Sequence, residues 1–171
     1  VGGTASTDGG RGAIESVRDL KLPKLTVLCD VRAAWEQAAP AFAPQKGASE
    51  AEVRELAKRL DAYAAELPQD PRGKLMTGAG GGLSGGLWAA MGATLRSGAG
   101  YVLERLNFDE RMRRSRAVIT GEGSLDRQTL LGKAAGEVAT RARQAGVPCF
   151  AMAGELRMSE FDRRILDFES S

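Results

Sequence analysis

Residues 117 to 152 contain one complete folding motif, and it limits the architecture open to the rest of the chain. Ala117-Val118-Ile119-Thr120 is a short apolar run of β-formers, and Gly121-Glu122-Gly123 breaks it. A polar loop from Ser124 to Leu131 leads into a helix from Gly132 to Ala145, which Gly146 caps. Val147 to Met152 reads as the next strand, with Gly154 and Glu155 at its end. Strand, helix and strand in this order form a βαβ unit, whose crossover makes the two strands parallel. The expected fold class is therefore α/β with largely parallel sheets.

The remaining elements fit that class. Leu25 to Cys29 is a continuous apolar run followed at once by Asp30, the pattern of a buried parallel strand ending in a carboxylate. Ser49-Glu50-Ala51-Glu52 is a capping box, and apolar residues from Val53 to Leu67 repeat at helical spacing up to Pro68. Leu87 to Thr94 and Tyr101 to Leu106 read as short helices, and 159–168 as the last one.

Composition excludes several chemistries. None of the 171 residues is histidine, so the chain can supply neither a Ser-His-Asp or Cys-His nucleophile nor a His-ligated metal. A net charge of +2 and 5% aromatics give no basis for nucleic-acid binding. No apolar run is long enough to cross a membrane, and no signal peptide is visible, so the expectation is a cytoplasmic protein. Cys29 and Cys149 are read as buried, reduced thiols. The chain begins inside a glycine loop without a methionine, so it is expected to be a piece of a longer protein.

Ligands of open α/β sheets bind beyond the carboxyl ends of the strands. Asp30, Gly121-Glu122-Gly123 with Asp126, and Gly154-Glu155 are all expected at such ends. Of the 22 glycines, five fall in 2–12 and ten in 73–100. Glycine-flanked N–H groups suit anions. The first cluster adds the hydroxyls of Thr4, Ser6 and Thr7 and the carboxylate of Asp8. Gln45-Lys46-Gly47, Gln128-Thr129 and Gly132-Lys133 place amides and ammonium groups in tight turns, where lysine acts as a point charge on phosphate. Carboxylates beside phosphate sites suit Mg²⁺. Together these parts match phosphoryl transfer. A Walker A loop does not fit, because Arg127 stands where its glycine is required and Ala134 follows Lys133. A Rossmann fingerprint over Gly80 to Gly85 lacks the strand that should precede it.

Five ordered segments carry a resemblance to a known family. They are GGTASTDGG at 2–10, CDV at 29–31, FAPQKGAS at 42–49, GAGGGLSGGL at 78–87 and ITGEGSLDRQTLLGKAAGEVA at 119–139. With these the chain resembles the bacterial glycerate kinase I family, whose pattern in the last segment reads close to TGEG-x-x-D-x-Q-T-x-x-GK. The sequence departs from that family after CDV, where Arg32-Ala33-Ala34 replace an Asn-Pro, and near Val17, where the family has a longer stretch.

The resemblance implies ATP- and Mg²⁺-dependent phosphorylation of D-glycerate. It also implies two α/β domains with the site in the cleft between them, here an incomplete inserted domain over 1–115 and part of a Rossmann-like domain over 116–171. On it, Asp30 is the first candidate for the base that takes the glycerate hydroxyl proton, or else a capping carboxylate. Asp8 is the second candidate, or a turn former, and Lys46 is placed with them. Substrate and phosphate contacts are expected from Gly3, Thr4, Ser6, Thr7, Gly9, Gln45, Gly80, Gly81, Gly121, Gln128, Thr129 and Lys133. Glu122 and Asp126 are expected at the metal, with Asp126 alternatively a helix cap. Two other readings stay open, a non-catalytic phosphate-ligand module and an inactive piece of the kinase. The oligomeric state is not legible.

Overall fold

The computed structural model describes residues 1–166 and Phe168. The chain divides into two compact units, Val1–Ser97 and the part from Gly98 onward. The resemblance implies a boundary at 115/116. In the structure the intervening helices α5 (Gly98–Arg105) and α6 (Phe108–Arg113) pack against α7 (Ala134–Ala145) in the second unit.

In the first unit, α1 (Arg11–Val17) precedes β1 (Thr26–Cys29). α2 (Ala38–Phe42), α3 (Glu50–Glu66) and α4 (Leu83–Met91) follow, and β2 (Thr94–Ser97) closes the unit. β2 pairs parallel with β1, Thr26 opposite Thr94 and Cys29 opposite Ser97. Sequence reading took 87–94 as one helix. The structure ends α4 at Gly92, whose φ of +65° suits the left-handed cap, and gives Thr94 to a strand. The four residues of β2 alternate between exposed and half-buried and carry no continuous apolar run, so only their pairing with β1 identifies them.

α3 starts where its capping box requires. Ser49 Oγ accepts the Glu52 N–H at 3.3 Å, and Glu52 Oε2 accepts the Ser49 N–H at 2.7 Å. Its buried face, Leu60, Tyr63 and Ala64, packs on Trp35, Ala38 and Ala39. Trp35 is 1% exposed, donates from Nε1 to Leu60 O at 3.1 Å, and lies 6.3 Å from the Tyr63 ring.

The second unit contains the βαβ motif, with one correction. β3 (Val118–Leu125) and β4 (Cys149–Leu156) pair parallel through Leu125 opposite Leu156, with α7 between them in sequence. The strands therefore do not stop at Gly121-Glu122-Gly123 or before Gly154. Glu122 and Glu155 lie within strands, and Asp126 is the acidic residue just past the end of β3. Gly121 stays in the ladder opposite Met152 because a partner strand supplies hydrogen bonds there, and a Cβ on it would lie 2.6 Å from Met152 O. The core joins Val118, Leu125 and Cys149 of the sheet to Ala135, Val138 and Ala142 of α7. The helix expected over 159–168 is α8 (Glu160–Leu166). Position 167 lies outside the described residues, and Phe168 bridges to Cys149.

Both cysteines are free and buried, and burial pushes both thiols above the ordinary cysteine value. Among the described residues no helix is long and apolar enough to cross a membrane.

Candidate functional site

The first unit brings together four segments that are distant in sequence. The loop over 2–10 packs directly on the glycine loop over 78–86. Gly9 N–H donates to Gly81 O at 3.0 Å. A methyl on Gly81 would lie 2.2 Å from Ser6 O, and one on Gly86 2.0 Å from Gly9 O. These glycines let two backbones touch, a different use from the anion contact expected of Gly9 and Gly81. A Cβ on Gly80 would meet Val1 at 2.4 Å, whereas nothing stands within 4 Å of the position at Gly3.

Lys46 leaves the short helical turn Pro44–Lys46 and reaches the first loop. Its Nζ donates to Ser6 O at 2.5 Å and to Thr7 Oγ1 at 3.1 Å. Partial desolvation lowers its affinity for the proton below that of ordinary lysine, and the nearby charge of Asp8 opposes the shift. Thr7 is buried, while Thr4, half-buried, donates to Ser6 O at 3.3 Å. Gln45 is exposed in the same turn.

The two carboxylates considered for the base differ in their surroundings. Asp8 Oδ1 accepts the Gly10 N–H at 3.1 Å and Oδ2 the Gly12 N–H at 3.3 Å, so both oxygens serve the start of α1. Asp30 follows the last residue of β1 and is exposed, and a Cβ on Gly2 would lie 2.1 Å from its Oδ2.

Sequence reasoning missed several residues of this unit. Ser84 Oγ donates to Met76 O at 2.6 Å, and Thr77 Oγ1 donates to Lys74 O at 2.6 Å and Pro71 O at 2.9 Å, so two buried hydroxyls hold the second glycine loop. A pocket of about 440 Å³ beside Thr7 and Lys46 is also lined by Arg59. Arg59 pairs with Glu55 at 3.0 Å, one turn back on α3, and the sequence shows only that ordinary helical spacing.

The second unit brings together the other expected residues. Thr129 is fully buried. Its hydroxyl donates to Glu122 Oε1 at 2.6 Å and accepts the Asp126 N–H at 3.2 Å. Asp126 Oδ1 accepts the Gln128 N–H at 2.7 Å, closing a turn. Glu122 Oε2 lies 3.9 Å from Lys133 Nζ. Lys133 is the residue immediately before α7, and Gly132 turns the chain into it with φ +100°. Gly121 stays within β3. Among the described residues, no three Cys, Asp or Glu side chains converge in a way that could hold a metal ion.

Comparison with known proteins gives a consistent result. The model of the glycerate kinase family matches residues 15–165. A protein of Halalkalibacterium halodurans named glycerate kinase is 42% identical over 141 residues, covering 78% of this chain and 37% of its own length. Glycerate 2-kinase of Escherichia coli is 32% identical over 194 residues, covering 91% of this chain and 51% of its own length. A crystal structure of a protein assigned as glycerate kinase 2 from Salmonella typhimurium LT2 superposes with a TM-score of 0.60 at 27% identity, over 91% of this chain and 54% of that one. The chain thus spans about half the length, or less, of these relatives.

Proposed function

Because the chain belongs to the glycerate kinase family, we propose that it forms part of an enzyme that phosphorylates D-glycerate with ATP as donor. The relative in Escherichia coli is named a glycerate 2-kinase, and we extend attack by the 2-hydroxyl to this chain. Such a reaction draws on cytoplasmic ATP, and we place the protein there.

The start of α7 carries the reading. A twelve-residue helix presents about half a positive charge at its N-terminus, and Lys133 adds an ammonium at the same point. Lysine has no acceptor with which to cap the helix. Two positive poles therefore converge there, and Glu122 at 3.9 Å offsets one of them. A phosphate group is the ligand that such an arrangement favours.

Of the two candidate bases we choose Asp30. It is exposed and directly follows the last residue of β1, at the carboxyl end of a parallel strand where ligands of such sheets bind. Asp30 would accept the proton of the attacking hydroxyl. Lys46 holds the Ser6-Thr7 loop in place, and with Thr4 and Ser6 it gives that loop the donors that the glycerate carboxylate needs. Arg59 faces the same pocket.

ATP supplies the phosphoryl group, and a divalent ion neutralises charge on its oxygens. Since no three Cys, Asp or Glu side chains converge among the described residues, an ion here would take most of its shell from phosphate oxygens and water, with one or two protein carboxylates. Asp126 would hold it, oriented through the Gln128 N–H, while Glu122 serves as the countercharge of Lys133.

The test is coupled ADP release by the gene product that contains this chain, given ATP, Mg²⁺ and D-glycerate, with the product identified by enzymes specific for 2- or 3-phosphoglycerate. Glycerate-dependent ADP release with 2-phosphoglycerate as product is expected. No glycerate-dependent release would refute the kinase reading, and 3-phosphoglycerate as product would overturn the choice of hydroxyl.

A further inference from the structure

Thr129 is fully buried in the second unit, so its side chain presents no surface to a ligand. Its hydroxyl is nevertheless fully used. It donates to Glu122 Oε1 on β3 at 2.6 Å and accepts the N–H of Asp126 at 3.2 Å. Its own N–H donates to Asp126 O at 3.0 Å, so the turn is closed from both sides. Its carbonyl lies so near α7 that a Cβ on Gly136 would stand 2.1 Å away. One residue thus joins the strand and the acidic turn through its hydroxyl and meets the helix through its carbonyl. Glu122 is 18% exposed at its side chain, with one oxygen committed to Thr129 and the other 3.9 Å from Lys133 Nζ. A glutamate carboxylate has a broad torsional well about its last bond, so a fixed hydrogen bond to one oxygen decides where the other points.

We propose that Thr129 is a positioning residue that acts through Glu122 on Lys133. Its hydroxyl orients the Glu122 carboxylate, and the second oxygen of that carboxylate sets where the Lys133 ammonium stands at the start of α7. The inference rests on the proposed function only for the role of Lys133 toward phosphate, because the relay itself is a feature of the free chain. It also accounts for a threonine seven residues after the strand glutamate and four before the lysine, since serine or threonine alone among side chains of this size can donate and accept at one atom.

The test reads the lysine directly. The six lysines of the full chain are labelled by reductive methylation with [¹³C]formaldehyde, and the Lys133 resonance is assigned with Lys133→Arg. In the unaltered chain the Lys133 resonance is expected apart from those of the exposed lysines. Thr129→Val and Glu122→Gln each move it to the exposed-lysine position, and Thr129→Ser keeps it in place. A Lys133 resonance unmoved by Glu122→Gln overturns the proposal, as does one that Thr129→Ser moves as far as Thr129→Val. If Thr129→Val does not fold, Glu122→Gln and Thr129→Ser still decide. An ADP titration separates this inference from the functional reading. Thr129→Val should weaken ADP binding about fivefold, the loss of one hydrogen bond, and have no further effect in a Lys133→Met background. An equal loss in both backgrounds overturns the relay. No ADP binding by the unaltered chain, with the resonances behaving as stated, removes the phosphate reading and leaves the relay standing.

Discussion

Replacing Gly86 by alanine sets two effects of opposite sign against each other. Gly86 lies in α4, where alanine is favoured over glycine by about 1 kcal/mol. The new methyl, however, would stand 2.0 Å from Gly9 O and 2.8 Å from Ile14 Cδ1. Carbon and carbonyl oxygen approach no closer than about 3.3 Å, so the first glycine loop would have to withdraw by roughly 1.3 Å. Such a shift strains packing that is already tight, at about 1–3 kcal/mol. It also breaks the 3.0 Å bond from Gly9 N–H to Gly81 O, worth about 1 kcal/mol. The helix preference cancels roughly one of these kilocalories, leaving a net loss of about 1–3 kcal/mol. Both tryptophans, Trp35 and Trp88, lie in the first unit, so their fluorescence follows its unfolding in urea. With a slope of about 1–3 kcal/mol per molar urea, the midpoint should fall by roughly 1 M. Gly12→Ala is the control. Its methyl would meet only Asp8 Oδ2 at 3.7 Å, and it should hold or raise the midpoint. A Gly86→Ala chain that unfolds at or above the original midpoint would refute the claim that these glycines exist for loop-to-loop contact.

Three other outcomes follow from the site and its scaffold. Asp30→Asn should abolish glycerate-dependent ADP release while leaving ADP affinity within about twofold, and near-normal turnover would shift the base to Asp8. The Glu52 carboxylate is held below the ordinary glutamate range by the backbone N–H of Ser49 first and its hydroxyl second. Because the folded value is depressed, its contribution is present above that range and is lost as pH falls through the folded value. The difference in urea midpoint between the original chain and Glu52→Gln should therefore be widest near neutrality and close below the ordinary glutamate range, and a gap independent of pH would contradict the assignment. Burial pushes both thiols up, so neither Cys29 nor Cys149 should react with Ellman's reagent in the folded chain at pH 8, whereas both should react in urea.

Features that depend on neighbouring residues were legible from the sequence. The capping box at Ser49 and the apolar repeat behind it place α3 within a residue at each end, because the bonds that start a helix lie within one turn. The βαβ order from 117 to 152 and the carboxylate after β1 are also local patterns, and each stands where the pattern puts it. Other features depend on partners far along the chain. β2 exists because β1 lies beside it, and β3 runs through Gly121-Glu122-Gly123 because β4 supplies the ladder. The meaning of a glycine likewise depends on what approaches it. Gly81 and Gly86 admit another backbone, whereas nothing stands within 4 Å of a side chain at Gly3. Thr129 looks in sequence like a ligand contact beside Gln128, but burial turns its hydroxyl inward to Glu122. The sequence by itself thus determined the helix caps, the βαβ order and the residue types available for phosphate chemistry, since those rest on bonds within a turn or alternation along a strand. Strand pairing, loop contact and the orientation of each polar side chain were decided only in the folded molecule, where segments remote in sequence compete for the same space and the same hydrogen bonds.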